Sequence, residues 1–278
     1  MNDAAEPGGP RPRRAPLRAA VAVAVVVLAL LAWLGWRSWS RDSVAPWFAR
    51  PAGAPIAAGE RPFDRAEHAS YRVTWRVGSG DGVAAGRAAF DASGGTNARH
   101  FALDVSTASW AAALYDVRGR IESWAGTDLL PSRQEYHMRA DRHATARTTR
   151  FDWSSRTFTV DDGEPLPLPP GARDGLTSWF HARTLPLAAG YHTRLSVVEA
   201  GRAYDVEVRV ERVERITLGG SDREAFRLAL LVARASDQGE IARAVAWVSA
   251  DARRLPLAVD LETSLGSFRL ELDAYTRQ

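Results

Sequence analysis

The sequence predicts a mainly β protein: a curved antiparallel sheet or half-barrel of roughly ten strands, with one or two short helices packed on it, preceded by an N-terminal transmembrane helix. Three observations predict it. Short runs alternate apolar and polar residues with period two, Gly-containing turns separate many of those runs, and one stretch near the N-terminus is apolar without interruption.

That stretch, Ala19 to Trp36, reads AAVAVAVVVLALLAWLGW and carries no charge. About twenty apolar residues span a bilayer core, so it is just long enough. Arg11, Arg13, Arg14 and Arg18 precede it, Arg37 and Arg41 follow, and Trp33, Trp36 and Trp39 stand at the far end, where amphipathic rings favour headgroups. A cleaved signal peptide would have an apolar region of ~7–15 residues and a small-x-small site; here the run is longer, and Trp and Arg occupy that place. The expected organisation is a cytoplasmic Arg-rich arm over 1–18, a transmembrane anchor over 19–37, a Pro/Ala/Gly-rich linker over 38–68 (RPAGAPIAAGERP at its centre), and an outer β-rich domain over 69–278.

Within that domain Tyr71, Val73, Trp75 and Val77 share one strand face, and Phe101, Leu103 and Val105 another. Tyr136 and Met138 alternate with Glu135, His137 and Arg139. Asp162–Gly163 marks a turn after TRFDWSSRTFTV, and Tyr204, Val206, Val208 and Val210 run in step towards a Gly pair. The last hairpin is the most regular. Leu255, Leu257, Val259 and Leu261 alternate with polar or small residues, and Phe268, Leu270, Leu272 and Ala274 repeat the pattern after a turn. Two segments break the period: TASWAAALYDV, with Trp110 and Leu114 at helical spacing, and RDGLTSWFHARTLP, where Asp174 is a good N-cap and Leu176, Trp179, Phe180 and Arg183 form one face.

Composition narrows function. There is no Cys, which excludes disulfides and thiol chemistry, and all 36 basic side chains counted with Lys are Arg. Residues 1–50 hold seven Arg against Asp3, Glu6 and Asp42, a balance of +4; the remainder holds 29 Arg against 30 acids, a balance of −1. The folded part has no net field to attract nucleic acid, and none is expected as a partner.

The ordered series YRVTW, AAGRAAF, LYDVRGRIESW, LLPSRQEY, TRFDW, PPGARDGLTSWFHARTLPLAAG, YDVEVRVERVERI and AVAWVSADARRLPLAVDLETSLGSFRLEL covers about residues 70–275 and resembles the bacterial family catalogued as domain of unknown function 3108. The resemblance implies an exported, β-rich envelope protein, similar in architecture to periplasmic lipoprotein carriers, with no reaction or catalytic residue to carry over. It places the anchor in a bacterial inner membrane, single-pass, with the C-terminal domain in the periplasm. The long uncleaved anchor departs from the family pattern and argues against a freely diffusing carrier.

No nucleophile–base or metal motif emerges. His137, Asp141 and His143 have metal-ligand types, but Arg139, Arg142 and Arg147 crowd them and repel a cation. Ser178, His181 and Asp174 on one short helix would not aim a base at a nucleophile. The expectation is no enzyme, no metal and no cofactor. Arg139, Arg147, Arg253 and Arg254 are anion-binding candidates, against the plainer reading of solvated strand faces and a tight SADARR turn. Trp110, Leu114, Trp179 and Phe180 are candidates to line an apolar cavity between sheet and helix, holding a lipid-like ligand. The alternative is a packed core in a structural or protein-interaction subunit of an envelope assembly. A continuous apolar cavity of at least about 300 Å³ between sheet and helix separates the two.

Protease added to spheroplasts is expected to digest residues beyond 40 and to spare an N-terminal tag; protection of the C-terminal domain overturns this topology.

Overall fold

The computed structural model describes residues 65–76, 82–95, 97–113, 116–263 and 266–278. The arm, the anchor Ala19–Trp36 and nearly all of the linker lie outside them. Among the described residues no helix is long and apolar enough to cross a membrane.

The elements are β1 (Glu67–Arg76), β2 (Val83–Gly94), β3 (Arg99–Thr107), α1 (Ser109–Ala112), β4 (Val117–Ala125), β5 (Pro131–Ala140), β6 (His143–Asp152), β7 (Thr157–Val160), β8 (Leu166–Pro167), α2 (Gly175–Ala182), β9 (His192–Glu199), β10 (Arg202–Leu218), β11 (Ser221–Arg234), β12 (Glu240–Ser249), β13 (Pro256–Thr263) and β14 (Gly266–Arg277). All fourteen strands join one antiparallel sheet in the order β8-β7-β6-β5-β4-β3-β2-β1-β14-β13-β12-β11-β10-β9. Two meanders are thus sewn together where β1 pairs with β14, Val73 opposite Leu270 and Trp75 opposite Phe268.

The sheet has more strands than the sequence predicts. β2 reads VAAGRAAFDASG, whose Ala and Gly lack the β-branched and aromatic signature, and β7 and β8 hold only four and two residues. The last hairpin forms as its alternation requires, with Leu261 opposite Phe268 and Val259 opposite Leu270. Register shifts at Ser70/Tyr71, Val73/Thr74, Val210/Arg212 and Trp247/Val248 bend the strands.

The sheet rolls beyond a half-barrel, until its ends overlap. Phe151 and Phe158 lie on the concave side of β6 and β7, sharing a face with Gln134 and Met138. They cluster with Val198, and Ala203 packs beside them. Val198 and Ala203 face away from Val197 and Tyr204, which share a face with the core residues Val208 and Val210. The concave side of one end therefore covers the convex side of the other. Residues 166–173 serve both edges: Leu168 N donates to Arg156 O at 2.9 Å beside β7, and further on Arg173 N donates to Ser196 O at 3.0 Å while Val198 N donates back to Arg173 O at 2.8 Å.

Helix α2 fills the concave side. Asp174 caps it, accepting from Thr177 N at 2.7 Å. Phe180 stacks on Phe101 with centroids 4.1 Å apart; Trp179 stacks on Phe90 at 4.7 Å and meets Tyr71 edge-on at 6.2 Å. Leu176 and Phe180 belong to one cluster with Ile121, Val210, Leu228 and Leu261, so strands from around the roll share a single core. Each such aromatic pair adds about 0.5–1.5 kcal/mol beyond area burial.

Phe180→Ala is expected to cost about 3–5 kcal/mol, because a buried ring leaves a cavity the rigid sheet cannot close. Urea unfolding followed by Trp fluorescence checks it; a loss below 1 kcal/mol contradicts this packing.

Candidate functional site

The two ends of α2 carry the buried polar chemistry of the domain. At the C-terminal end Arg183, 2% exposed, caps the helix. Its guanidinium ion-pairs with Glu67 at the start of β1, Nη1 to Oε1 and Nη2 to Oε2, the latter at 3.2 Å. Nε also donates to Arg254 O at 3.2 Å and Nη2 to Arg253 O at 2.9 Å. Tyr275 of β14 donates its hydroxyl to Glu67 Oε2 at 3.0 Å. One side chain thus ties the helix, the β1–β14 seam and the β12–β13 turn together. Tyr71 donates to Pro256 O at 2.9 Å beside this hub, and burial pushes its phenol, like that of Tyr275, above the ordinary value. Neither phenol is available as a phenolate.

At the N-terminal end two carboxyls are buried together. Glu199, at the end of β9, accepts through Oε2 from Gln134 Nε2 at 3.1 Å and from Gly175 N at 3.0 Å. Desolvation raises Glu199 to about 8, with the Asp174 charge adding to the rise, and raises Asp174 to about 6. Neither is ion-paired among the described residues. Asp174 Oδ2 and the Ser178 hydroxyl have no hydrogen-bond partner there, and the Ser123 hydroxyl faces Asp174 without reaching hydrogen-bond geometry. Burial thus favours the protonated form of both carboxyls, which are 0% and 2% exposed for Asp174 and Glu199.

The residues singled out from sequence are dispersed. Trp179 and Phe180 stack on the sheet, whereas Trp110 is 44% exposed and donates Nε1 to Ala84 O at 2.6 Å. Ala84 and Phe90, six residues apart on β2, separate the two groups by about 20 Å. Leu114 lies outside the described residues. Arg139 ion-pairs with Asp116 at 2.8 Å on the convex face, while Arg147 stands on the other face opposite Tyr136. Arg253 pairs with Asp251, its Nε 2.8 Å from Oδ2, and Arg254 lays its guanidinium over Phe226 at 4.5 Å. Their turn and Arg139 sit at opposite ends of the sheet. His137 is 3.8 Å from Glu135, and Asp141 accepts from Asp116 N at 2.9 Å. Among the described residues no three His, Asp or Glu side chains are grouped to hold a metal. His181 shares its Nδ1 with Thr184, 3.3 Å away, while Asp174 accepts from Thr177 N at the other end of the helix.

Sequence reasoning missed Glu67, Gln134, Ser123 and Glu199. Their only signal was a polar residue on the inward parity of its strand, which is visible once the inward face is known.

Two depressions lie on the convex side of the sheet. One, of about 580 Å³, is lined by Ser70, Arg87, Ala89, Asp104, Ser106, Arg118 and Arg120 among others. The other, of about 320 Å³, runs over Ala229, Leu231 and Val245 between Glu207, Arg209, Arg243 and Glu262.

The profile of a family described as protein of unknown function (DUF3108) matches residues 70–273. No curated protein matches the sequence. Among solved structures, a β-barrel-like protein of the domain of unknown function DUF1849 from Brucella abortus superposes with TM-score 0.57 at 11% identity, covering 77% of this chain and 98% of that one. A DUF1089 family protein from Pseudomonas aeruginosa superposes with TM-score 0.38 at 13% identity, covering 66% and 92%. The first likeness shows a shared fold.

Arg183→Ala is expected to destabilise by about 3–5 kcal/mol, since it leaves Glu67 charged and unpaired in the interior; denaturant melts measure it, and a neutral result refutes the hub. The carboxyl pair predicts a pH slope. The folded chain holds more protons than the unfolded one between the ordinary values of 3.8 and 4.5 and the folded values of about 6 and about 8. Stability therefore falls as pH rises through that window. Thermal midpoints should drop from pH 5 to pH 9, and Glu199→Gln should flatten the drop; an equal slope in both proteins contradicts the assignment.

Proposed function

The chain belongs to the family of unknown function DUF3108, and from that membership and the geometry of α2 we propose that it is a non-catalytic interaction module of the cell envelope with a packed core. It works at the inner membrane, held there by Ala19–Trp36, and presents its convex face to a partner. The observation that carries this reading is the seating of α2. Its rings stack on Phe90 and Phe101 in the space where a guest between sheet and helix would sit, and depressions of about 320 and 580 Å³ face outward. Buried polar groups support a structural role as well, since Arg183, Glu67 and Tyr275 satisfy one another and hold the chain together.

A lipid carrier would instead need an apolar cavity on the concave side. Trp179 and Phe180 act here as core, each stabilising by about 1.5–3 kcal/mol through burial alone.

Native mass spectrometry of the full chain, released gently from membranes, tests the proposal. The expected mass is that of the polypeptide without adduct. A stoichiometric lipid that is lost in Trp179→Ala overturns it in favour of carriage.

A further inference from the structure

Four arginines occupy a single cross-strand row on the convex face of β1–β5. Arg72 lies opposite Arg87, Arg87 opposite Ser106, Ser106 opposite Arg118, and Arg118 opposite Arg139. They point outward because their strand neighbours Tyr71, Ala88, Val117 and Met138 are buried in the concave core. Like charges placed directly opposite on a sheet destabilise it. Two such pairs in one row are a cost that packing does not explain.

Carboxylates offset the row only in part. Arg72 reaches Glu271 at 3.2 Å and Asp273 at 3.4 Å, and Arg118 and Arg139 share Asp116 at 3.3 and 2.8 Å. Arg87 is exposed and has no ion-pair partner among the described residues. Around Ser106 the small side chains of Ser70 and Ala89 leave the groove of about 580 Å³, with Arg87 on one side, Arg118 and Arg120 on the other, and Asp104, ion-paired to Arg120, in its wall. Five strands span four inter-strand spacings, so the row is about 19 Å long.

Direction identifies the ligand. The row runs across the strands, along the direction in which the sheet rolls, so it follows a convex curve. A flat bilayer meets such a curve along a narrow line and engages few of the arginines together. A flexible linear chain can bend over all of them. No aromatic side chain stands in the row to stack a base, which disfavours single-stranded nucleic acid.

We propose that this row binds a linear acidic polysaccharide, whose repeating anionic groups are held by the guanidinium forks of Arg72, Arg87, Arg118 and Arg139 with the Ser106 hydroxyl at the centre. The inference rests on the reading of the convex face as the working surface, and names its partner class.

The test uses the full chain in a zwitterionic detergent, with polygalacturonate as probe, neutral dextran as control and phosphatidylglycerol vesicles as the competing surface. The wild type should bind polygalacturonate saturably, ignore dextran and weaken with salt. The double variant Arg87→Gln/Arg118→Gln should lose at least about tenfold in affinity, as expected for removing two charge-assisted contacts. The seven arginines before residue 51 are the same in both proteins, so the difference reports the row. Thermal midpoints should be unchanged or higher in the variant, because repulsion is relieved. Equal binding by the two proteins, absence of saturable polygalacturonate binding, or row-dependent binding confined to vesicles each overturns the proposal. A packed core fails separately, by a lipid adduct in the native mass.

Discussion

A single run of fourteen strands leaves one apolar face uncovered and two edges unpaired, and residues 166–183 answer both demands. Their first half hydrogen-bonds to β7 and then to β9, so the edges meet a partner instead of solvent. Their second half is α2, which supplies the rings that the concave face requires. Arg183 fixes the far end of this segment to β1 and to the β12–β13 turn. Without that segment the roll would have an empty interior and an open seam.

The polar groups at the two ends of α2 behave differently because of what surrounds them. Arg183 and Glu67 are buried as a pair with extra carbonyl and hydroxyl partners, so their geometry is specified. Asp174 and Glu199 are buried without a cation in contact, so burial drives them towards the protonated form. One end is a hydrogen-bonded latch. The other ties seam stability to pH.

Charge on the convex face is organised rather than scattered. Trp247 donates to Glu214 at 2.6 Å and lies under Arg227 and Arg269, at 5.9 and 5.4 Å, the latter guanidinium held by Asp260 at 3.0 Å. There each cation has an acid beside it and the aromatic is covered. The row from Arg72 to Arg139 differs in setting cations opposite cations with a groove between them, and among the described residues Arg87 has no acid paired with it.

The sequence by itself determined the β class, the caps and faces of α2, and the last hairpin, because these depend on local spacing: period two for strands and Asp174 before an apolar helical face. It under-counted strands where Ala and Gly replaced β-branched residues, as in β2, since there the neighbours and not the side chains make the strand. Tertiary structure alone decided how far the sheet rolls, because closure depends on pairing β1 with β14 and Arg173 with Val197, partners far apart in the chain. It also decided that Arg72, Arg87, Arg118 and Arg139 form one row while Arg147, closer to Arg139 in sequence, faces the other way. Strand parity assigns each residue to a face, but register between strands sets which residues meet, and register is fixed by turns, bulges and burial acting on the whole sheet.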